Sequence, residues 1–234
     1  MHPNLVIGNT LIPSWYTLLV IGIIVPAFLV IYLKPPAFSL SRREVFLMIM
    51  FITIAGLFGA RLLFMFLHPG ASGGYAYFGG LLFLFLAIWI YSTFKRQRFL
   101  PIIDYVAPFL MLSQAIVRVG CLMAGCCYGK PTCSTFGVIF KTVDKTLRHP
   151  TQAYSVLLLL AIYAISRFIY EKDSQYPGYT LSIVLIMYGA GRFFIEFLRV
   201  DSPIIFLNIT MAQITCLALI LAGVLMRKKK RLPA

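Results

Sequence analysis

The chain has 234 residues, 60% of them hydrophobic and 12% charged, with a formal net charge of +14. Soluble domains sit near half apolar and a quarter charged, so this balance excludes an ordinary water-soluble core and points to the bilayer. The positive excess could suit nucleic acid, but Lys and Arg fall in short runs between apolar stretches, as at Arg42–Arg43, Lys95 to Arg98 and Arg227 to Arg231. Membrane proteins orient themselves in that way, and nucleic acid is set aside as a partner.

In chain order, the apolar stretches predict spans at Ser14–Leu33, Glu44–Leu67, Tyr75–Phe94, Ile102–Ala124, Gln152–Phe168, Thr180–Phe197 and Phe206–Met226. At 1.5 Å per residue each is long enough for a hydrocarbon core of about 30 Å, the fifth being short. Lys34-Pro35-Pro36, Pro69-Gly70, Pro177-Gly178 and Asp201-Ser202-Pro203 supply turn chemistry between them. The expected fold is all-α: a single polytopic domain, 1–234, of about seven transmembrane helices. The first basic residue, Lys34, follows the first apolar stretch, so the first span is expected to be retained rather than cleaved as a signal.

Lys and Arg number 13 in the loops after spans one, three, five and seven, counting Arg167, against 5 on the other side. That asymmetry predicts an outside N-terminus and a cytoplasmic C-terminus, with residues 227–234 as a basic cytoplasmic tail. The long loop 128–150 then lies outside. It is either a lid or docking segment or a passive connector.

Ionisable groups inside spans are costly and usually face a polar cavity or one another. Arg61 lies near the outer end of span two and Arg118 deep in span four. Arg192 and Glu196 are four apart on one face of span six, with Arg199 three further along. Separately, these could be a structural ion pair and arginines snorkelling to the interface. Together, several guanidinium groups with one carboxylate leave an excess of positive charge, which suits the phosphate of an anionic phospholipid approached from the outside. Gln114 shares a face with Arg118, Asp104 lies in the same span, and Gln152 and Tyr154 follow His149-Pro150. Trp15 and Tyr16 open span one, where an aromatic belt would place them in any case.

Cys121, Cys126, Cys127 and Cys133 crowd into thirteen residues. Their spacing is not that of a zinc or thioredoxin-type pair, and His149 is sixteen residues beyond Cys133, so no metal site is expected. A disulfide from Cys133 to Cys126 or Cys127 is one expectation on the outer side. For Cys121 and Cys216 the leading expectation is a small apolar filler.

Five motifs in order resemble those of the prolipoprotein diacylglyceryl transferase family, over most of the chain. Trp15-Tyr16 is similar to the family's Trp-Tyr-Gly, and Gly59-Ala60-Arg61 to its Gly-Gly/Ala-Arg. Asp104 to Pro108, followed by Gln114-Ala115-Ile116-Val117-Arg118-Val119-Gly120, resembles its Asp-x-x-Ala-Pro and Gln-Ala-x-Gly-Arg-x-Gly. His149-Pro150-Thr151-Gln152-Ala153-Tyr154 resembles its His-Pro-Ser/Thr-Gln-x-Tyr, and Tyr188 to Arg199 its Tyr-Gly-x-x-Arg-Phe-x-x-Glu-Phe-x-Arg. The resemblance implies a transferase of the bacterial cell membrane. A lipobox cysteine of a prolipoprotein would attack the glycerol carbon of phosphatidylglycerol, forming a thioether and releasing glycerol 1-phosphate without metal or organic cofactor. It implies catalytic or lipid-binding roles for Arg118 and Arg192, a partner role for Glu196, and a site-lining role for Tyr16. Arg61, Gln114, Cys121, His149, Gln152 and Arg199 are the further substrate-binding candidates.

The chain departs from the family pattern twice. Phe78-Gly79-Gly80 stands where the family has His-Gly-Gly, and Cys121 and Cys126 stand where it has Asn and Glu. Phenylalanine accepts no proton, so the base is another group such as Cys126, His149 or Tyr16, or the arginine field makes a base unnecessary. Cys126 is the catalytic candidate of the cluster. The competing readings are a paralogue acting on another lipid or acceptor, a non-catalytic phospholipid-binding protein, and a thiol-redox membrane protein.

Overall fold

The computed structural model describes residues 4–7, 10–34, 40–70, 74, 76–140, 143–173, 176–200, 204–206 and 209–229. Seven helices lie among them: α1 (Ser14–Tyr32), α2 (Arg42–Leu67), α3 (Tyr77–Phe94), α4 (Phe99–Ala124), α5 (Thr151–Asp173), α6 (Tyr179–Glu196) and α7 (Met211–Lys229). Five of these (α1, α2, α4, α5 and α6) are long and apolar enough to cross a membrane. Their outward surfaces carry large apolar side chains, such as Phe28, Phe66, Phe168 and Phe194, all more than half exposed. Water would penalise such a surface and hydrocarbon would not. The protein is a multi-pass membrane protein.

The all-α expectation holds for the helices and misses three small antiparallel hairpins. These are β1 (Asn4–Ile7) with β2 (Thr10–Pro13), β3 (Val138–Ile139) with β4 (Leu147–Arg148), and β5 (Ile204–Phe206) with β6 (Ile209–Thr210). The second gives the long loop 128–150 a fold of its own, and the third moves the start of α7 from Phe206 to Met211. Helix α5 also outruns its expected end at Phe168. Arg167 pairs with Glu171 at 2.9 Å one turn on, and the Lys172 ammonium lies over the Phe168 ring, so polarity ends the apolar run without ending the helix.

The chain forms two compact units: residues 1–26 with 104–234, and residues 27–103. In the smaller unit α2 packs on α3 through small residues. A Cβ on Gly79 would lie 2.4 Å from the Gly59 carbonyl oxygen, so the Gly79-Gly80 pair sets how closely these helices approach. Ser41 and Glu44 form a capping box at the start of α2, and Glu44 accepts from Lys95 at the end of α3 at 2.8 Å. That contact raises the pKa of the Lys95 ammonium. The Phe78 side chain lies outside the described residues.

In the larger unit, α6 packs on α5 and α7. Cys216, buried, sits in the α6–α7 contact, where its carbonyl faces Gly189, the small-filler position expected of it. The first half of α1 runs against the second half of α4. A Cβ on Gly120 would press within 3.2 Å of the Trp15 Cα, which fixes the start of α1 two residues from Arg118.

Candidate functional site

The site of the larger unit begins where α6 begins. Gly178 caps that helix in a left-handed conformation and offers no side chain to the helix's open N–H groups. The buried Asp104 carboxylate of α4 takes their place, accepting from the N–H of Gly178 and, at 2.7 Å, from that of Leu181. A negative group at a helix N-terminus is stabilising on both hydrogen-bond and dipole grounds. This fixes α6 against α4 and so sets where Arg192 comes relative to Arg118.

Both arginines line one narrow cleft, with Gln114 on α4, Ser155 and Leu158 on α5, and Tyr188 on α6. The Gln114 Oε1 is buried in that wall with no hydrogen-bond partner among the described residues. The face of α6 continues past the cleft to Glu196, whose carboxylate is 4% exposed. Its Oε2 contacts the Arg192 guanidinium and lies 3.7 Å from Arg199 Nε, while its Oε1 accepts from the Thr210 hydroxyl at 3.2 Å. Thr210 in turn caps α7 through a reciprocal pair with Gln213, so Glu196 ties the two arginines to the root of the last helix. Arg118, Arg192 and Arg199 against Glu196 leave this region net positive in a low-dielectric setting, the condition for holding an anion.

Beyond Arg118, α4 ends in a Schellman turn. Gly125 adopts a left-handed conformation, its N–H reaches Leu122, and the Cys126 N–H reaches the Cys121 carbonyl at 3.1 Å. Cys127 follows with φ of 62°, a conformation L-residues seldom adopt. The N-terminus of α5 clasps this turn: Gln152 donates to the Cys126 carbonyl at 2.5 Å and Thr151 to the Cys127 carbonyl at 2.7 Å. Gln152 therefore holds the backbone of the cysteine turn. The Cys126 thiol donates to the Cys121 carbonyl at 3.6 Å. The side chains of Cys121 and Cys126, then the charges of Arg199 and Arg118, push the Cys127 pKa down, while Cys121 and Cys127 push that of Cys126 up. The expected disulfide is a correction. All five cysteines are free thiols, because the Schellman turn folds Cys126 and Cys127 back on Cys121 rather than out to the exposed Cys133.

His149 pairs its Nδ1 with the Tyr154 hydroxyl at 3.3 Å. Its backbone is laced to Gly129 and Lys130, and Lys130 N–H donates to the Leu198 carbonyl, which places loop 128–150 beside the Glu196–Arg199 segment. Arg148 pairs with Asp144 within that loop, holding the Asp144 carboxyl below its ordinary range. Tyr16 is half exposed and stacks on Trp15 with ring centroids 3.7 Å apart. Arg61 belongs to the smaller unit, where its guanidinium donates to the Gly74 carbonyl at 3.2 Å and lies over the Phe64 ring.

Two groups of the site carried no role in the sequence. Ser155 has no signal there. Thr210 had one, since Thr210-x-x-Gln213 is a capping-box spacing.

Comparison with known proteins bears on the whole chain. It is 34% identical over 155 residues to the phosphatidylglycerol–prolipoprotein diacylglyceryl transferase of Chlorobaculum tepidum, covering 64% of this chain and 54% of that protein. It is 30% identical over 178 residues to the enzyme of the same name from Clostridium tetani, covering 69% and 70%, and 36% identical over 166 residues to that from Dehalococcoides mccartyi, covering 68% and 63%. The chain thus spans 54% to 70% of the length of these three relatives. The model of the prolipoprotein diacylglyceryl transferase family matches residues 5–227, and with the arginine cleft and the ordered motifs this makes the chain a member of that family.

Proposed function

We propose that this chain transfers the diacylglyceryl group of phosphatidylglycerol to the lipobox cysteine of prolipoproteins in the cytoplasmic (inner) membrane of a bacterium. The observation that carries the reading is the meeting of Arg118 and Arg192, from two helices, on one cleft of the apolar bundle. Paired guanidinium forks match a phosphodiester, and a headgroup hydroxyl would satisfy the buried Gln114 Oε1. The acceptor sulfur attacks the glycerol carbon, the S–C bond forms, and the C–O bond breaks with its electron pair leaving on glycerol 1-phosphate. Arg118 and Arg192 hold the charge that gathers on the departing phosphate. The same field lowers the pKa of the incoming thiol, which starts at about 8.5, so little further help is needed to ionise it.

In this reading Glu196 positions Arg192 and Arg199, and Gln152 and His149 brace the cysteine turn and the loop above the cleft. Tyr16 completes the substrate surroundings, with Cys121 and Cys126 on the rim, and Arg61 is the substrate-binding candidate of the smaller unit. All seven helices span the bilayer as one domain, with the N-terminus and loop 128–150 outside and the tail 227–234 in the cytoplasm.

The test mixes the purified full chain with phosphatidylglycerol vesicles and a peptide bearing a lipobox cysteine. A mass gain of one diacylglycerol on the peptide is expected. Arg118→Ala should slow it by about a hundredfold or more, the scale of losing one transition-state charge partner. No mass gain from the unmodified chain overturns the reading.

A further inference from the structure

We propose that hairpin β3–β4 and the turn before it form an interfacial anchor. It lays Phe136, Ile139 and Leu147 on the lipid surface at that end of the bundle and sets Lys130 and Lys145 against anionic phospholipid phosphates. The inference rests on the chain's being a membrane protein and not on the transfer reaction.

Loop 128–150 has a small core of its own. Phe140 is fully buried, its ring centroid 5.6 Å from that of Tyr128, and the Arg148 guanidinium lies over the Tyr128 ring. The same loop turns four large apolar side chains outward. Phe136 is 76% exposed, and Ile139, Val143 and Leu147 are each more than a third exposed. The strand register sets Ile139 directly opposite Leu147, so both side chains leave one face of the hairpin. Hydrogen bonds hold the turn beside them. The Phe136 N–H donates to the Ser134 hydroxyl at 3.2 Å, and the Gly137 N–H to the Ser134 carbonyl at 2.9 Å. A Cβ on Gly137 would lie 3.2 Å from the Leu147 Cβ, so the turn abuts the apolar pair. Single exposed apolar residues are ordinary, but a patch built from a hydrogen-bonded turn and a cross-strand pair marks a surface that something covers.

The attachment of the loop identifies the cover. The Lys130 N–H donates to the Leu198 carbonyl at 2.7 Å, Gly129 bridges to Arg199, and α5 begins directly after His149-Pro150. Helices α4, α5 and α6 are all long and apolar enough to cross a membrane, so the loop is rooted where three such helices end. Phe194 and Phe197, at the end of α6, are both more than half exposed, and Leu198 follows them. The apolar patch thus extends from the lipid-facing surface of the bundle. Charge points the same way. The loop holds Lys130, Lys141, Lys145 and Arg148 against one acid, Asp144, and Arg148 pairs with that acid. Lys130 and Lys145 are exposed and make no ion pair among the described residues. Apolar side chains flanked by ammonium groups suit the boundary of a bilayer, where the former enter the acyl region and the latter reach phosphates. An apolar peptide would use the patch and leave both ammonium groups without a partner. Docked on lipid, the loop holds the Leu198–Arg199 segment at the depth of the headgroups.

The experiment places a lone indole on the patch, through Phe136→Trp in a chain carrying Trp15→Phe and Trp89→Phe. The full chain is inserted in nanodiscs of equal parts phosphatidylglycerol and phosphatidylcholine, which leave both faces open to an aqueous quencher. Phosphatidylcholine brominated near the top of its acyl chains should lower the emission by about half or more, as for a side chain seated at the acyl boundary, while aqueous iodide has little effect. Lys130→Glu with Lys145→Glu should weaken the bromolipid quenching, and so should nanodiscs of phosphatidylcholine alone. Quenching by iodide and not by bromolipid overturns the proposal, as does bromolipid quenching that neither the lysine substitutions nor the lipid charge alters. Protection from iodide that appears only on addition of a lipobox peptide assigns the patch to the acceptor and overturns it as well. None of these readouts requires diacylglyceryl transfer, so the failure of one proposal is distinguishable from that of the other.

Discussion

The Ser113 hydroxyl on α4 donates to the Gly22 carbonyl on α1 at 2.5 Å, and Gly22 stands four residues before Pro26. Proline has no N–H, so within a helix it deprives that carbonyl of its donor. A side chain 91 positions away supplies the replacement, and the proline is thereby tolerated inside an apolar helix.

Ser113→Ala should cost about 1 kcal/mol, the net scale of a hydrogen bond whose loss strands a buried acceptor. Pro26→Ala restores the N–H, so in that background the same substitution should cost much less. Thermal unfolding in detergent for the four combinations measures the coupling. Equal losses in both backgrounds would show that the two residues act independently.

Thr210 serves Glu196 and the start of α7 at once. Thr210→Ser keeps both hydrogen bonds and should behave as the unmodified chain. Thr210→Val keeps the shape and loses both bonds, which should cost about 1–2 kcal/mol from the cap and lower the transfer rate by loosening Arg192. Unfolding and transfer assays on the pair check this, and indistinguishable Val and Ser variants would contradict it.

The Asp104 carboxylate accepts two N–H groups of α6 from within α4. Asn at this position has one acceptor oxygen, turns an amide N–H₂ towards the second donor and carries no charge for the helix dipole. Asp104→Asn should therefore destabilise by about 1–3 kcal/mol. Its effect should appear as a lowered unfolding temperature, with transfer retained well below it. Loss of transfer at unchanged stability would assign Asp104 to the chemistry instead.

Helices α1 to α4 begin and end within three residues of the limits expected from the sequence, because hydropathy and turn chemistry are local. The larger misses came where local signals conflicted. Glu171 and Lys172 read as polar loop beyond Phe168, yet the i,i+4 pair of Arg167 with Glu171 carries α5 onward, and Phe206 reads as the start of a span while it ends a strand.

The sequence by itself determined that the chain belongs in a bilayer, that it folds as helices of set lengths, and which few charged residues the bundle must accommodate. Each follows from side-chain chemistry within a window of about twenty residues. Only the tertiary structure decided the meetings. It set Arg118 and Arg192 on one cleft, Asp104 on the far end of α6, and Cys126 rather than Cys133 with Cys121. Those pairings depend on helix crossings fixed by glycine contacts and long-range caps, and no periodicity along the chain encodes which face of one helix another will meet.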